Sequence, residues 1–406
     1  MRIDRFIGIL TVLSGVLGGC ASALAQISDN VVRIGVLNDQ SGVYSDITGR
    51  GSVIAAQMAV EDFGGTVLGK PIEIIFADHQ NKADVGSSIA RKWIDRQGVD
   101  AIADVPTSSV GFAIQELTRT KNRVFLNSGS GSSDLTGKAC SPNAIAWTFD
   151  TYALAKGASA LVKEGADSWF LLIADYAFGH SIERDLRSFV EASGGKVVGV
   201  ARHPLGTSDF ASFLLQAKSS NAKVIGLGNA GADTINAIKQ ASEFGITQSG
   251  QKLASILVNI NDVNSLGLTL AQGLVTTEAF YWNLNAETRA WSERFMKLRQ
   301  GMVPNMIQAG VYGSVLHYLK AVKNAGTDEA KAVVAEMKRM PIDDFYTKGA
   351  RIREDGRVMR DMYVFQVKAP SESKEPFDYY RLVRTIPGEE AFRPLKEGGC
   401  PYVGPQ

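Results

Sequence analysis

Residues 124–137 read VFLNSGSGSSDLTG, and Lys138 follows them. An apolar strand that leads into a loop of small residues and then into a helix start is the local pattern of a phosphate-binding loop. Backbone N–H groups exposed at a helix start attract anions, including carboxylates. The segment could therefore bind either a nucleotide phosphate or a carboxylate.

The spacing of the glycines argues against two common nucleotide motifs. A P-loop has the pattern G-x-x-x-x-G-K-[ST], whereas Gly131 and Gly137 are one residue too far apart and Lys138 is followed by Ala139. The dinucleotide pattern G-x-G-x-x-G also fails, because Asp134 stands at its third glycine and would repel a pyrophosphate. A carboxylate cradle remains, with a plain connecting loop as the alternative.

A second loop of similar composition, DVPTSSVG at 104–111, follows the preceding predicted strand. Neighbouring parallel strands end at the same edge of a sheet, so the two loops could direct hydroxyl and backbone donors at one carboxylate. The predicted cradle comprises Thr107, Ser108, Gly129, Ser130 and Gly131. We expect Asp134 to cap a following helix, and simple helix capping is the alternative role of Thr107 and Ser108.

Other loops that follow predicted strands supply further candidates. Asp150 could receive a cation or a polar N–H, or it could cap the next helix. Tyr176 and Phe178 in ADYAFG could cover an apolar ligand group, or pack against a neighbouring helix. Asn229 in GNAGAD and Asn259 in VNINDV complete the predicted binding residues.

The elements that must position these loops follow from periodicity. Buried-strand patterns alternate with amphipathic helices over 31–149 and again over 151–282, which predicts two doubly wound, Rossmann-like α/β lobes. Further helices are predicted over 287–340 and a hairpin over 349–368. We expect the following division: lobe one, 27–150 and 282–343; lobe two, 151–281 and 344–385; and a tail, 386–406, that packs back on lobe one.

Catalytic and metal-binding patterns are missing from the sequence. It contains no G-x-S-x-G, no H-E-x-x-H and no recognisable Cys–His pair, and its four histidines are scattered. We therefore expect no enzymatic activity, no cofactor and no metal. The alternative from a different functional class is an exported α/β enzyme whose active site lies between the lobes and has no recognisable sequence motif.

Composition and the N-terminus indicate an exported globular protein. The 406 residues include 43 Lys and Arg against 42 Asp and Glu, a balance that argues against nucleic acid as a partner. Arg2, Arg5 and the apolar run FIGILTVLSGVLGG resemble a signal peptide over 1–25 that is cleaved after Ala25, which predicts a periplasmic location. A lipoprotein box ending at Cys20 is the rival interpretation.

Export also predicts a disulfide. Cleavage after Ala25 leaves two cysteines, Cys140 and Cys400, in an oxidising compartment. We expect them to pair and to attach the C-terminal tail to lobe one.

The order of the segments VRIGVLNDQSG, DVPTSSVGFAIQEL, VFLNSGSGSSDLTG, WTFDTYALAKGA and ADYAFGHS resembles the periplasmic solute-binding proteins of ABC transporters. The similarity is to the leucine/isoleucine/valine-binding branch and covers residues from about 30 to 385. It implies a type I fold with three crossover segments, here near 149–151, 280–283 and 342–346, and ligand capture by hinge closure. It also implies a monomer that delivers a small carboxylate solute to an inner-membrane permease. A sensor of amide-type ligands with the same fold is a further alternative.

The resemblance implies roles for individual residues. The family's carboxylate-binding hydroxyl pair falls on Thr107 and Ser108, its next carboxylate loop on 129–131, its acid near the first crossover on Asp150, and its lobe-two aromatic on Tyr176 or Phe178. The hydroxyl that helps bind the ligand ammonium falls on Gly131, which has no side chain. The acid from lobe two falls on Asn259 or, with a shifted alignment, on Asp262. An organic acid without an ammonium group is therefore an alternative to a branched-chain amino acid.

Overall fold

A computed structural model describes residues 26–163 and 165–404. The predicted signal peptide, its cleavage site and Cys20 lie outside the described residues. A six-stranded sheet forms the centre of lobe one, and its strands are parallel apart from β2. In spatial order they are β2 (Thr66–Val67), β3 (Lys70–Asp78), β1 (Val32–Asn38), β4 (Ala101–Asp104), β5 (Val124–Asn127) and β6 (Ala144–Ala146).

Helices cover both faces of this sheet, which is why β1, β4 and β5 are buried almost without interruption, whereas β3 is partly exposed. The helices of lobe one are α1 (Gly49–Phe63), α2 (Ala83–Gln97), α3 (Ser108–Thr120), α10 (Ala286–Leu298), α11 (Met306–Ala325) and α12 (Ala330–Arg339). Ile34 and Val36 face the core beneath α1 and α11, whereas Leu37 belongs to the core beneath α2 and α3. Gly51 allows the close crossing of α1 and α11, since a Cβ there would overlap the Gln308 side chain.

Lobe two repeats this arrangement on a smaller parallel sheet. Its strands, in spatial order, are β10 (Lys252–Ser255), β9 (Val224–Gly228), β7 (Ser168–Ala174) and β8 (Lys196–His203). Its helices are α4 (Thr151–Lys163), α5 (Ala177–Ala192), α6 (Ala211–Ser219), α7 (Ala232–Glu243), α8 (Ile260–Leu266) and α9 (Leu268–Ala271). The predicted class, two doubly wound α/β lobes, is confirmed.

A third, antiparallel sheet adjoins lobe two. It consists of β11 (Val275–Glu278), β14 (Met362–Val367) and β15 (Tyr380–Ile386), and the short helix α13 (Gly388–Ala391) follows it. The chain leaves lobe one after β6, returns to it after β11 with the helices α10 to α12, and leaves it again after α12. We propose these passages as the crossovers and keep the lobe boundaries as proposed from the sequence.

Two local predictions were wrong. The predicted hairpin over 349–368 is shorter, because only β12 (Arg351–Ile352) and β13 (Val358–Met359) pair with each other, while β14 pairs with β11 and β15. The helix expected after the loop at 127–132 is a 3-10 turn, Ser133–Leu135. A single turn leaves few aligned N–H groups, so the helix N-terminus near the predicted cradle is that of α3.

The predicted disulfide is confirmed. Cys140 and Cys400 are bonded, and their Cα atoms are 5.5 Å apart. Both residues are buried. The bond closes a loop over a sequence separation of 260 residues and fixes the end of the tail to lobe one.

Replacing both cysteines, as Cys140→Ser with Cys400→Ser, should lower the free energy of unfolding, because the unfolded chain regains the entropy that the cross-link removes. The chain-entropy model allows on the order of 5 kcal/mol for so long a loop, as an upper figure. Urea unfolding of the oxidised wild type and the double variant measures the difference. Thiol titration of the unreduced, denatured protein is the control, and two free thiols would refute the bond.

Candidate functional site

The two loops of the predicted cradle lie side by side at the carboxyl edge of the first sheet, because β4 and β5 are adjacent and parallel. Ser132 N donates to Ser108 Oγ over 3.2 Å. A Cβ at Gly129 would lie 2.7 Å from Pro106 Cα, so only glycine fits where the loops meet. The structure thus brings together Thr107 and Ser108 of one loop with Gly129, Ser130 and Gly131 of the other.

The hydroxyl groups of this cradle differ in whether their hydrogen is already used in a hydrogen bond within the protein. Thr107 Oγ1 donates to Asn81 Oδ1, and Ser130 Oγ donates to Val105 O over 2.5 Å, so both hydrogens are already used within the protein. Ser108 Oγ accepts a backbone N–H and keeps its own hydrogen for another acceptor. Ser108 is therefore the hydroxyl best placed to bind an added anion.

The backbone just before the cradle is strained. Asp104 and Val105 have φ angles of 76° and 56°, a region that is unfavourable for a β-branched residue such as valine. Neighbouring groups hold this conformation: Val105 N donates to Leu37 O over 3.1 Å, and Gly129 N donates to Asp104 O over 3.1 Å. Backbone strain that the surroundings maintain is concentrated at functional sites, which supports a role for this loop.

An apolar cavity lies next to the cradle, between the lobes. It is lined by Tyr44, Ile47, Pro106, Gly129, Phe149, Tyr176, Phe178, Ala230, Leu257 and Ile307. Gly131 faces two of its rings, because a Cβ at this position would lie 2.5 Å from Phe149 Cε2 and 3.0 Å from Phe178 Cε2. The cavity measures about 20 Å³, which is room for about one water molecule. Tyr176 and Phe178, the two aromatic candidates from the sequence, therefore both line this cavity.

Direct contacts across the cleft join the loop after β1 to lobe two. The hydroxyl oxygens of Tyr44 and Tyr176 are 2.6 Å apart and share a hydrogen bond. Ala232 N, at the start of α7, donates to Val43 O over 3.0 Å. Burial raises the pKa of both tyrosine hydroxyls above their usual value, so both are neutral and either can donate.

Asp233 is an acid of lobe two that the sequence analysis missed. It is buried in the first turn of α7, and its Oδ2 accepts from Gly206 N over 3.0 Å. Within the described residues, its Oδ1 has no hydrogen-bond partner. Burial raises its pKa to about 6, and its charge in turn raises the pKa of Tyr44 and of Tyr176. An acidic group thus lies close to the tyrosine side of the cavity.

Asp150 contacts two groups of the protein itself. Its Oδ1 accepts from Ala153 N over 2.9 Å, so it caps α4, and its Oδ2 lies 3.9 Å from an Nη1 of Arg357. Both side chains are buried, and the same Arg357 nitrogen donates to Phe149 O over 3.0 Å. Burial raises the pKa of Asp150 and lowers that of Arg357 to about 10. The cation beside Asp150 is thus Arg357 of this chain. The contact with Ala153 is the helix cap that the sequence analysis gave as the alternative role of Asp150.

The predicted asparagines have different surroundings. Asn229 uses its side chain inside lobe two, where Oδ1 accepts from Thr234 Oγ1 over 2.6 Å and Nδ2 lies 3.1 Å from His203 Nε2. Asn259 is fully buried at the start of α8, where its backbone N donates to Asp262 Oδ2 over 2.9 Å. Asp262, the alternative acid in the shifted alignment, therefore closes the start of a helix.

The expected capping role of Asp134 was wrong. Ser132 Oγ accepts from Asp134 N over 3.4 Å, so Ser132 caps the 3-10 turn. The Asp134 carboxylate instead lies 2.9 Å from Arg184 Nη1 of lobe two and 3.3 Å from Lys138 Nζ. It is therefore part of the contact between the lobes.

Comparison with known proteins places this architecture in a family. The model of the periplasmic binding protein family matches residues 31–374. The chain belongs to the periplasmic binding protein family. Membership implies a periplasmic location. No protein with curated functional information matches the chain.

Several solved structures are similar to this family member. A periplasmic binding protein from Burkholderia mallei is 50% identical, with a TM-score of 0.90 over 92% of this chain and 100% of that one. A branched-chain amino acid ABC transporter periplasmic ligand-binding protein from Burkholderia xenovorans LB400 is 40% identical, with a TM-score of 0.81 over 91% and 99%. A solute-binding protein of an ABC transporter from Rhodopseudomonas palustris BisB5, in complex with 3,4-dihydroxy benzoic acid, is 22% identical, with a TM-score of 0.80 over 89% and 98%. All three are binding proteins.

Several residues that line the cavity of this periplasmic binding protein were not predicted from the sequence. Tyr44 and Phe149 lie in loops after predicted strands. Their position in the chain was therefore a sign of a binding role, although their residue type was not. Ile307 lies in the first turn of α11, and no local pattern marks it. Across 26–163 and 165–404, no group of His, Cys, Asp and Glu could hold a metal ion, and no helix is long and apolar enough to cross a membrane.

The buried pair of Asp150 and Arg357 predicts a stability effect. Asp150→Asn keeps an acceptor for Ala153 N but leaves the Arg357 charge buried without its counter-ion, which should lower the free energy of unfolding by about 3 kcal/mol. Asp95→Asn is the matched control, because the pair of Asp95 and Lys121 is exposed and should contribute little. Urea unfolding measures both, and equal values for the two variants would contradict the prediction.

Proposed function

We propose that this protein is the substrate-binding receptor of an ABC importer and captures a small carboxylate-bearing solute between its lobes. The observation that carries the proposal is the apolar cavity between the lobes, which borders the cradle at Pro106 and Gly129. The similarity to the ligand-binding protein from B. xenovorans supports it. In this proposal the protein acts as a monomer, with an inner-membrane permease as its partner.

The carboxylate would bind at the junction of β4 and β5. Ser108 has a hydroxyl hydrogen to donate, and it lies at the start of α3, where backbone N–H groups favour negative charge. Gly129 and Gly131 have no side chain to block the approach of a ligand to the backbone. Thr107 and Ser130 would shape the loops, since their hydroxyl hydrogens are already engaged.

The body of the ligand would be apolar. Phe149, Phe178 and Leu257 line the cavity, and such a wall suits a branched aliphatic chain or an aromatic ring. The cavity is about 20 Å³, whereas small-molecule sites usually exceed about 300 Å³. The lobes must therefore part to admit a ligand, and the hydrogen bond of Tyr44 and Tyr176 must open or rearrange around it.

Asp233 distinguishes the two ligand classes. Its unpartnered Oδ1 could accept from an α-ammonium group, which supports a branched-chain amino acid. An aromatic or aliphatic acid without an ammonium would instead leave this carboxyl buried, and protonation would be its most stable form. For a branched-chain amino acid, the Asp233 carboxylate would be the partner of the ligand ammonium. The sequence analysis expected this partner at Asn259 or Asp262.

A thermal-shift panel of branched-chain amino acids, benzoates and short aliphatic acids tests the function. A true ligand at about 100 times its Kd should add about 2.7 kcal/mol of stability. If it carries an ammonium, its binding should strengthen as the pH rises through about 6, because Asp233 becomes ionised, and Asp233→Asn should remove that strengthening. Affinity for an acid without an ammonium should not rise in this range. No stabilisation by any panel member would count against a carboxylate ligand.

Replacement of Ser108 by alanine tests the cradle. A hydrogen bond to a charged carboxylate contributes roughly 1.5–3 kcal/mol, so Ser108→Ala should raise the Kd by about one to two orders of magnitude. Ser109→Ala is the matched control, since Ser109 is the next residue of α3 but is partly exposed. Calorimetric titration with the best panel ligand compares them, and an equal Kd for both variants would remove Ser108 from the site.

A further inference from the structure

The segment 387–400, which we name the strap, connects the two lobes independently of the three crossovers. It begins directly after β15 of the third sheet, where Gly388 N donates to Asp361 Oδ1 over 3.1 Å. Its Phe392 is buried, and the Arg357 guanidinium lies 4.5 Å above the phenyl ring. The strap ends at Cys400, whose disulfide with Cys140 joins it to lobe one. It therefore adds a covalently closed, fourth connection between the lobes.

The strap meets both lobes at one buried carboxylate, that of Asp185. This residue belongs to α5 of lobe two. Its Oδ2 accepts from Ser133 Oγ of lobe one over 2.7 Å and from Thr151 Oγ1 over 2.6 Å. Its Oδ1 lies 3.4 Å from Arg393 Nη2 of the strap. Lobe one, the first residue of α4 and the strap thus share one acceptor.

The surrounding contacts reinforce this junction. Arg393 Nη2 also donates to Ser133 Oγ over 2.6 Å, and Arg184 Nη2 donates to the same oxygen over 2.7 Å. Arg353 Nη1 donates to Arg393 O over 2.8 Å, which fixes the strap backbone beside the guanidinium. None of the residues in this network lines the cavity, although Asp185 lies on the same helix as the cavity residue Phe178.

We propose that the strap and Asp185 form a latch that holds the lobes closed and thereby sets ligand affinity without touching the ligand. The proposal rests on the proposed function, in which closure captures the solute. If the lobes part, Ser133 moves away from Asp185, and a carboxylate that was buried and hydrogen-bonded has to be rehydrated. The disulfide keeps Arg393 near Asp185 at high effective concentration, so the latch re-forms readily when the lobes meet.

Two variants test the latch, with one control. Asp185→Asn removes the acceptor charge, and Arg393→Gln removes the donor charge from the partly exposed strap without emptying the core. Glu183→Gln is the matched control, because Glu183 stands on the same helix but pairs with Arg202, also of lobe two, over 2.6 Å. Circular dichroism verifies that each variant is folded.

The first measurement needs no ligand. Hydrogen exchange in peptides covering 130–136 and 181–187 should be faster in both latch variants than in wild type, and small-angle scattering should give a larger radius of gyration. Because Asp185 and Arg393 belong to one network, the effects of the two substitutions should not add, and the double variant should resemble the more affected single variant. Wild-type exchange and radius in both variants would overturn the latch and leave the strap as ordinary packing.

The second measurement uses L-leucine and benzoate as probes. For a probe that wild type binds, both latch variants should release it about tenfold faster or more, while Glu183→Gln should not change the rate. An unchanged release rate would overturn the latch while the proposed function stands. If wild type binds neither probe and no member of the wider panel, the proposed function fails, and the exchange and scattering results alone decide whether the latch exists.

Discussion

A parallel sheet has to be covered on both faces, and this requirement determines where the rest of the molecule can act. Helices occupy the faces of both sheets, so the free backbone groups and the polar loops collect at the carboxyl edges of the strands. The edge at β4 and β5 faces lobe two across the cleft, and the loop after β1 reaches the start of α7 through Val43. The cavity is a consequence of two such edges meeting.

The site between these edges is buried and largely apolar, and this gives the few polar groups there their importance. Burial keeps Tyr44 and Tyr176 neutral, and it favours the neutral form of Asp233. In such surroundings a charged ligand group is stable only where a donor or a counter-ion awaits it. The cradle supplies donors on one side and Asp233 supplies an acceptor on the other, so the polarity of the cleft is directional.

Much of the fold and part of the site could be predicted from the sequence, for identifiable reasons. Long buried strands and amphipathic helices predicted the two lobes, and export with two cysteines predicted the bond of Cys140 and Cys400. That the loops after β4 and β5 lie side by side was predictable because neighbouring parallel strands end at the same edge of a sheet. Asp233 was not, because an acid in a first helical turn usually only complements the helix dipole. Arg357 was not predictable either, because it is one of several charged residues in a turn and only tertiary packing places it beside Asp150.

The contacts near the proposed crossovers differ in kind from the contacts across the cleft. Near the proposed crossovers, the contact of Asp150 with Arg357 is buried and the disulfide of the strap is covalent. Across the cleft, the lobes meet through non-covalent polar contacts, such as the hydrogen bond of Tyr44 with Tyr176 and the ion pair of Asp134 with Arg184. In the proposed function, opening breaks these contacts together with that of Ser133 and Asp185, and it leaves the contacts near the crossovers intact. A receptor that must close on a solute and later release it needs this inequality, since the free energy gained from a small ligand is itself modest.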